Sequence, residues 1–216
     1  MHHDGAFWHW IGLLGLGAFH GVNPGMGWLF AVALGMQERH RRGVWRALLP
    51  LGLGHVLSVG AMILAAMALG VVVPLRYLEW LVVALLIGLG ILKLVRSRHP
   101  RWVGMRVGMA DLTFWSFLMA TAHGAGLMVL PIFMSLNEMA AETGGHATHL
   151  AGMGGGAATG LLATAVHGAG YLLVTAVIAV VVFEKFGLGL LRNAWLNLDL
   201  IWAVVLIATG VLILAI

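Results

Sequence analysis

Residues 46–70 read RALLPLGLGHVLSVGAMILAAMALG. A charge stands only at the first position, and no apolar–polar alternation marks a strand. Crossing a hydrocarbon core of about 30 Å takes about 20 apolar residues, so this stretch is long enough to span a bilayer as a helix. Near its middle sits one group that does not belong in lipid, His55.

Five more stretches read the same way, at residues 8–36, 74–95, 111–136, 156–183 and 194–216. Across all 216 residues, 61% are hydrophobic and 9% charged, and the mean hydropathy is +0.99. A soluble domain carries roughly a quarter of its residues as charges. The composition therefore excludes a soluble enzyme, a disordered tail and a disulfide-stapled scaffold, and the lack of period-two patterning excludes a barrel. The expected fold is an all-α polytopic membrane protein with six transmembrane helices. Asn23-Pro24-Gly25 inside the first stretch predicts a kink or an unwound segment within one span. That stretch is not read as a cleavable signal peptide, since it has no basic leader and polar residues interrupt it.

The formal charge is +4. Arg39, Arg41, Arg42 and Arg46 fall between spans one and two, and Lys93, Arg96, Arg98, Arg101 and Arg106 between three and four. Lys185 and Arg192 fall between five and six, which leaves Arg76 alone on the other side. Such a bias places both termini outside the cytoplasm, with the bacterial inner membrane as the expected location. The basic character is thus a topology signal and not a nucleic-acid footprint. The expected surroundings are a lipid bilayer and a small ion or solute, with a homo-oligomer left open.

Six spans divide into two sets of three, and an odd number inverts the second set. Ala18-Phe19-His20-Gly21 in span one matches Thr121-Ala122-His123-Gly124 in span four. Gly54-His55 in span two answers Val166-His167 in span five, and Pro24 and Pro131 follow the first histidine of each half. The reading is one membrane domain over 1–216, with an inverted repeat of about 6–96 and about 109–216. A basic cytoplasmic linker at 97–108 joins the halves, and an outer His- and Gly-rich loop is expected at 137–155.

His20, His55, His123 and His167 lie near the middle of their spans, where ionisable groups are costly and face a bundle interior. Helical spacing puts Asn23 with His20, Ser58 and Met62 with His55, Thr113 and Ser116 with His123, and Thr164 and Tyr171 with His167. Neutral imidazole is a common ligand for Ni, Co, Zn and Cu(II), and it titrates near neutral pH. These histidines are therefore expected to form a mid-membrane site for a divalent transition metal, or to carry a coupling proton. No Asp or Glu lies at that depth, which also admits a neutral or anionic solute. Paired histidines on neighbouring helices would suit haem or copper in a membrane oxidoreductase as well. The absence of cysteine removes thiolate and iron–sulfur chemistry.

Two clusters on the outer side are candidates for metal capture: His2, His3 and His9 at the N-terminus, and His146 and His149 in the loop. A polar tail and a solvated loop are the plainer readings. Arg76 and Glu79 are spaced to pair at the outer interface, and Asp111 and Asp199 to cap helices. Trp8, Trp10, Trp80, Trp102 and Trp195 fit interfacial belts.

Two inverted three-helix halves with Phe19-His20-Gly21-Val22-Asn23-Pro24-Gly25 and its His123-Gly124 counterpart resemble the LysE transporter superfamily. Within it the layout is most similar to nickel/cobalt exporters and urease-accessory-type membrane proteins. The chain lacks the His-x4-Asp-His signature of nickel/cobalt permeases and the cysteine pair of thiol-disulfide members. The resemblance implies outward transport of a metal or another small solute. The expected function is thus a secondary transporter rather than an enzyme, exporting a divalent cation in exchange for protons.

Overall fold

A computed structural model describes residues 3–70, 75–95, 108–143 and 149–186, with positions 204, 206–208 and 210–211 beyond them. The described chain is helical: α1 (His3–Val22), a 3-10 turn (Pro24–Met26), α2 (Trp28–Gln37), α3 (Arg41–Gly70), α4 (Leu75–Val95), α5 (Met109–Ala122), α6 (Ala125–Thr143), α7 (His149–Val181) and a closing π-helical turn (Val182–Phe186). Most of the sixth expected span and of the 97–108 linker lies outside the described residues.

Two helices, Arg41–Leu69 and Gly156–Lys185, are long and apolar enough to cross a membrane. A third crossing is counted if Met109–Ala122 and Ala125–Met139, bent by 65° at their junction, form one broken span. The first stretch divides at Asn23–Gly27, where the Asn23-Pro24-Gly25 signal lies. The division of the fourth at His123–Gly124 has no proline at the break, because Pro131 sits inside α6 without ending it. Helices α6 and α7 also reach further than expected, to Thr143 and back to His149, into the loop expected at 137–155.

On α3, Leu49, Leu53, Leu57 and Leu64 are exposed along one stripe, and on α7 so are Leu161, Leu162, Leu173 and Val177. The polar residues lie on the buried sides: His55 and Ser58 on α3, beside Leu51 and Val59, and Thr164, His167, Tyr171 and Thr175 on α7. A water-soluble helix is arranged the other way round, so the outward leucines suit lipid contact. Trp8 and Trp80 are exposed, whereas Trp10 packs against the core.

Helix order is set by small residues that let backbones touch. A β-carbon on Gly17 would overlap the His167 carbonyl, and one on Gly170 the Leu14 carbonyl, so α1 and α7 lie in direct contact. Their register is parallel, since Gly17 meets His167 and Tyr171 while Gly21 meets Tyr171 and Thr175. Helices α3 and α5 also run parallel: Leu51 meets Ser116, and Ser58 meets Thr121. Helices α3 and α7 are antiparallel. Gly52 faces Leu172, Val56 faces Gly168, Gly60 faces Thr164 and Ile63 faces Gly160.

At one end of the bundle, Arg41 pairs with Glu184 at 2.6 Å and Arg46 with Glu38 at 2.9 Å. The turn between α2 and α3 therefore lies beside the end of α7. Arg39 reverses the chain there with a φ of +50°, and the His40 amide donates to the Gly35 carbonyl at 3.0 Å.

Candidate functional site

Three imidazoles meet where α1, α3 and α7 come together. The ring centroids of His20 and His55 are 5.7 Å apart, those of His20 and His167 5.1 Å, and those of His55 and His167 5.3 Å. All three residues are 0% exposed. Gly17 and Gly170 hold α1 against α7, and the antiparallel register of α3 on α7 carries His55 to His167. The described carboxylates Glu38, Asp111, Glu138 and Glu184 are exposed and lie in the outer parts of their elements.

Backbone carbonyls orient two of the rings. The His20 Nδ1–H donates to Leu16 on its own helix at 2.7 Å, and the His167 Nδ1–H donates across to Leu13 of α1 at 3.2 Å. A neutral imidazole bonded this way carries its lone pair on Nε2, the arrangement that orients metal-ligating histidines elsewhere. His55 differs. It lies nearly parallel to His167 (11°) and to Tyr171 (9°, centroids 3.9 Å apart), and among the described residues neither of its ring nitrogens has a hydrogen-bond partner.

Beside this cluster lies the break in the first apolar stretch. Asn23 caps the 3-10 turn, accepting from the Gly25 amide at 2.9 Å. Unwinding frees carbonyls that in a membrane interior need donors. Three aromatic side chains supply them: the Trp28 indole donates to Val22 at 2.9 Å, the Trp115 indole to Gly25 at 3.2 Å and the Tyr171 hydroxyl to Met26 at 2.6 Å. Of the two tryptophans, neither stands out in sequence from ordinary lipid-facing or interfacial residues. Thr175 extends the Thr164–His167–Tyr171 stripe by one turn and is fully buried, so helical spacing alone would have found it.

The other expected residues divide between the cluster and its frame. His123 is buried at the junction of α5 and α6, and its Nδ1–H donates to Met119 at 2.8 Å. The ring contacts join His20, His55 and His167, whereas His123 sits on the counterpart break. The Ser116 hydroxyl donates to the Leu51 carbonyl at 2.7 Å and fastens α5 to α3. Thr121 donates its proton to Phe117, so Ser58 is the donor in the 2.8 Å bond between Ser58 and Thr121. The hydroxyls of Thr113 and Thr164 bond carbonyls of their own helices, Met109 and Gly160. Met62 packs where Gly126 makes room.

The outer candidates stay apart from this site as far as they are described. His9 lies eleven residues before His20 on the same helix, about 16 Å along its axis. His3 and His149 begin α1 and α7, while His2 and His146 lie outside the described residues.

Lone pairs of imidazole lie in the ring plane, so two stacked rings do not aim them at a common point. Consistent with this, no group of three or more His, Asp or Glu among the described residues is arranged to hold a metal ion. A cation held here would need His55 to rotate out of its stack. Haem fits poorly between α1 and α7, because a macrocycle needs a gap where Gly17 and Gly170 bring the two backbones into contact. Searches against protein families, characterised proteins and solved structures find no match to this chain.

Proposed function

We propose that the chain is a secondary transporter of the bacterial inner membrane, exporting a divalent transition-metal cation of the Ni, Co or Zn class in exchange for protons. The observation that carries this reading is the cluster of three imidazoles, fully buried and packed beside the break between α1 and α2. Neutral imidazoles bind such cations and release them when protonated, so one site can serve cargo and coupling ion in turn. With no carboxylate beside it among the described residues, the site leaves the charge of a divalent ion uncompensated, which favours release over storage.

Alternating access is proposed to come from two inverted halves, with both termini outside. The helix pairing supports this. Exchanging α1, α2 and α3 with α5, α6 and α7 turns the parallel α1–α7 pair into the parallel α5–α3 pair and leaves the antiparallel α3–α7 pair in place. Moving from His55 to His167 advances 112 positions, and the same step carries Gly52 opposite Leu172 onto Thr164 opposite Gly60. The exchange axis would then pass near Val56 and Gly168, beside the imidazoles.

The test is flux of Ni²⁺, Co²⁺ and Zn²⁺ into proteoliposomes, with the lumen held acidic or neutral. The expected result is metal movement that depends on the pH difference and falls at least about tenfold in His167→Gln, while metal bound to the purified protein decreases as pH is lowered. A second reading, a proton-coupled carrier of another small solute, is favoured by the stacking of His55 away from a metal-binding geometry. Proton flux without metal flux would select it, and neither flux would overturn both.

A further inference from the structure

One side chain touches both the imidazole cluster and the broken span. The Tyr171 ring lies flat on His55 at 3.9 Å, and its hydroxyl donates to the Met26 carbonyl at 2.6 Å. Gly27 admits that hydroxyl, since a β-carbon there would stand 2.6 Å from it. His55 is the cluster member with both ring nitrogens buried and without a hydrogen-bond partner among the described residues, so it retains open capacity for a proton or a cation.

We propose that Tyr171 is a positioning residue that transmits the state of His55 to the break at Asn23–Gly27. The geometry requires the two to move together. His55 cannot tip out of its present plane to turn a nitrogen toward a ligand while His167 and Tyr171 stack on it. Rotation displaces the phenol ring, and displacement draws the hydroxyl off Met26. The Met26 carbonyl then loses its donor, and the turn is released to rewind or to hinge. Trp28 and Trp115 keep their bonds to Val22 and Gly25 and hold the two flanks. Ionisable groups around His55 come from each packed element: His20 from α1, and His167 and Tyr171 from α7, with the Ser116 and Thr175 hydroxyls near the phenol. A ligand at the cluster is thereby read out as a change in the backbone of the first span. This rests on the transport reading only for its purpose; the mechanical link is independent of the cargo.

The test is amide hydrogen exchange over residues 22–28 of the full-length protein in detergent, in a double-mutant cycle of Tyr171→Phe and His55→Gln. Tyr171→Phe keeps the stack and removes the bond to Met26, so exchange there should rise about tenfold. His55→Gln should also raise it, but by less than about twofold once Tyr171→Phe is present. Independent effects that multiply, or no effect of His55→Gln, overturn the proposal. If His55→Gln does not fold, Zn²⁺ added to wild type and to Tyr171→Phe replaces it. Zinc should raise exchange at the break in the former and leave it unchanged in the latter, and an equal response in both overturns the link. In proteoliposomes Tyr171→Phe should keep the KM for Zn²⁺ within about twofold while kcat falls about tenfold, a split that mere loosening of the fold would not produce. Absent flux of Ni²⁺, Co²⁺ and Zn²⁺ in wild type with a coupled exchange cycle would refute the metal-transport reading and leave the link standing.

Discussion

The two broken apolar stretches solve the same problem by different means. At Asn23–Gly27 the chain unwinds over a full 3-10 turn, and its free carbonyls are met by Trp28, by Trp115 of α5 and by Tyr171 of α7. At His123–Gly124 the bend is local. The His123 and Gly124 amides donate back to Met119 and Thr121, Gly124 takes a φ of +70°, and the Met128 amide picks up the Gly124 carbonyl to start α6. Both breaks are closed by backbone bonds of their own, but the first also draws donors from Trp115 and Tyr171 on other helices. A break held from outside can be released by moving the side chain that holds it, whereas a backbone-made bend persists whatever its neighbours do. This contrast makes the first break the movable one and the second a fixed elbow.

The sharpest way to break the comparison is Gly27→Ala. Its β-carbon would meet the Tyr171 hydroxyl at 2.6 Å and Leu51 at 3.2 Å, and the hydroxyl cannot withdraw without giving up Met26. Overpacking of this kind costs about 3 kcal/mol. Thermal melting in detergent should show a larger loss than Gly124→Ala or Glu184→Gln produces, and the exchange protection of 22–28 should disappear with it. Unchanged melting would mean that the turn is not fastened by Tyr171.

Gly124→Ala should cost less, about 1–2 kcal/mol, because an alanine at a φ of +70° carries the left-handed penalty and little else. The nearest atom to its β-carbon is the flexible Leu206 Cδ2 at 3.1 Å, which can give way. Because the elbow is local, hydrogen exchange over 22–28 should stay as in wild type. A change there would show that the two breaks are coupled and that the second is not a passive bend.

How far these sites could be read beforehand depends on the range of the interaction. Helical spacing is a local property, so the buried stripes of His55 with Ser58 and of Thr164, His167 and Tyr171 were legible, as was the first break from Asn23-Pro24-Gly25. Partners across helices were not. Nothing in the order of residues says that His55 stacks on Tyr171, that Ser116 bonds Leu51, or that Trp115 reaches Gly25, 90 positions away. The elbow at His123–Gly124 escaped notice for a different reason. His-Gly is a weak breaker beside the proline at 131, which α6 absorbs, and the bend becomes visible only through the backbone angle of Gly124.

The smallest effect lies at the far end of the first broken stretch, where α2 turns into α3 and Arg41 reaches Glu184 beyond α7. If the first break moves, α2 must move against α7, and this pair ties the first residue of α3, just beyond α2, to the turn that follows α7. Both side chains are well exposed, at 59% and 40%, so solvent screens the attraction, and Glu184→Gln should cost no more than about 0.5 kcal/mol in melting experiments. Salt should erase that difference. The informative readout is therefore kinetic: removing a bond that must break during movement should leave affinity for the cargo unchanged and speed or slow turnover slightly. The corresponding change at an exposed carboxylate off the moving segment, Glu138→Gln on α6, should do nothing. Equal responses from the two positions would place the motion somewhere other than the α2–α7 contact and would weaken the distinction between a movable break and a fixed elbow.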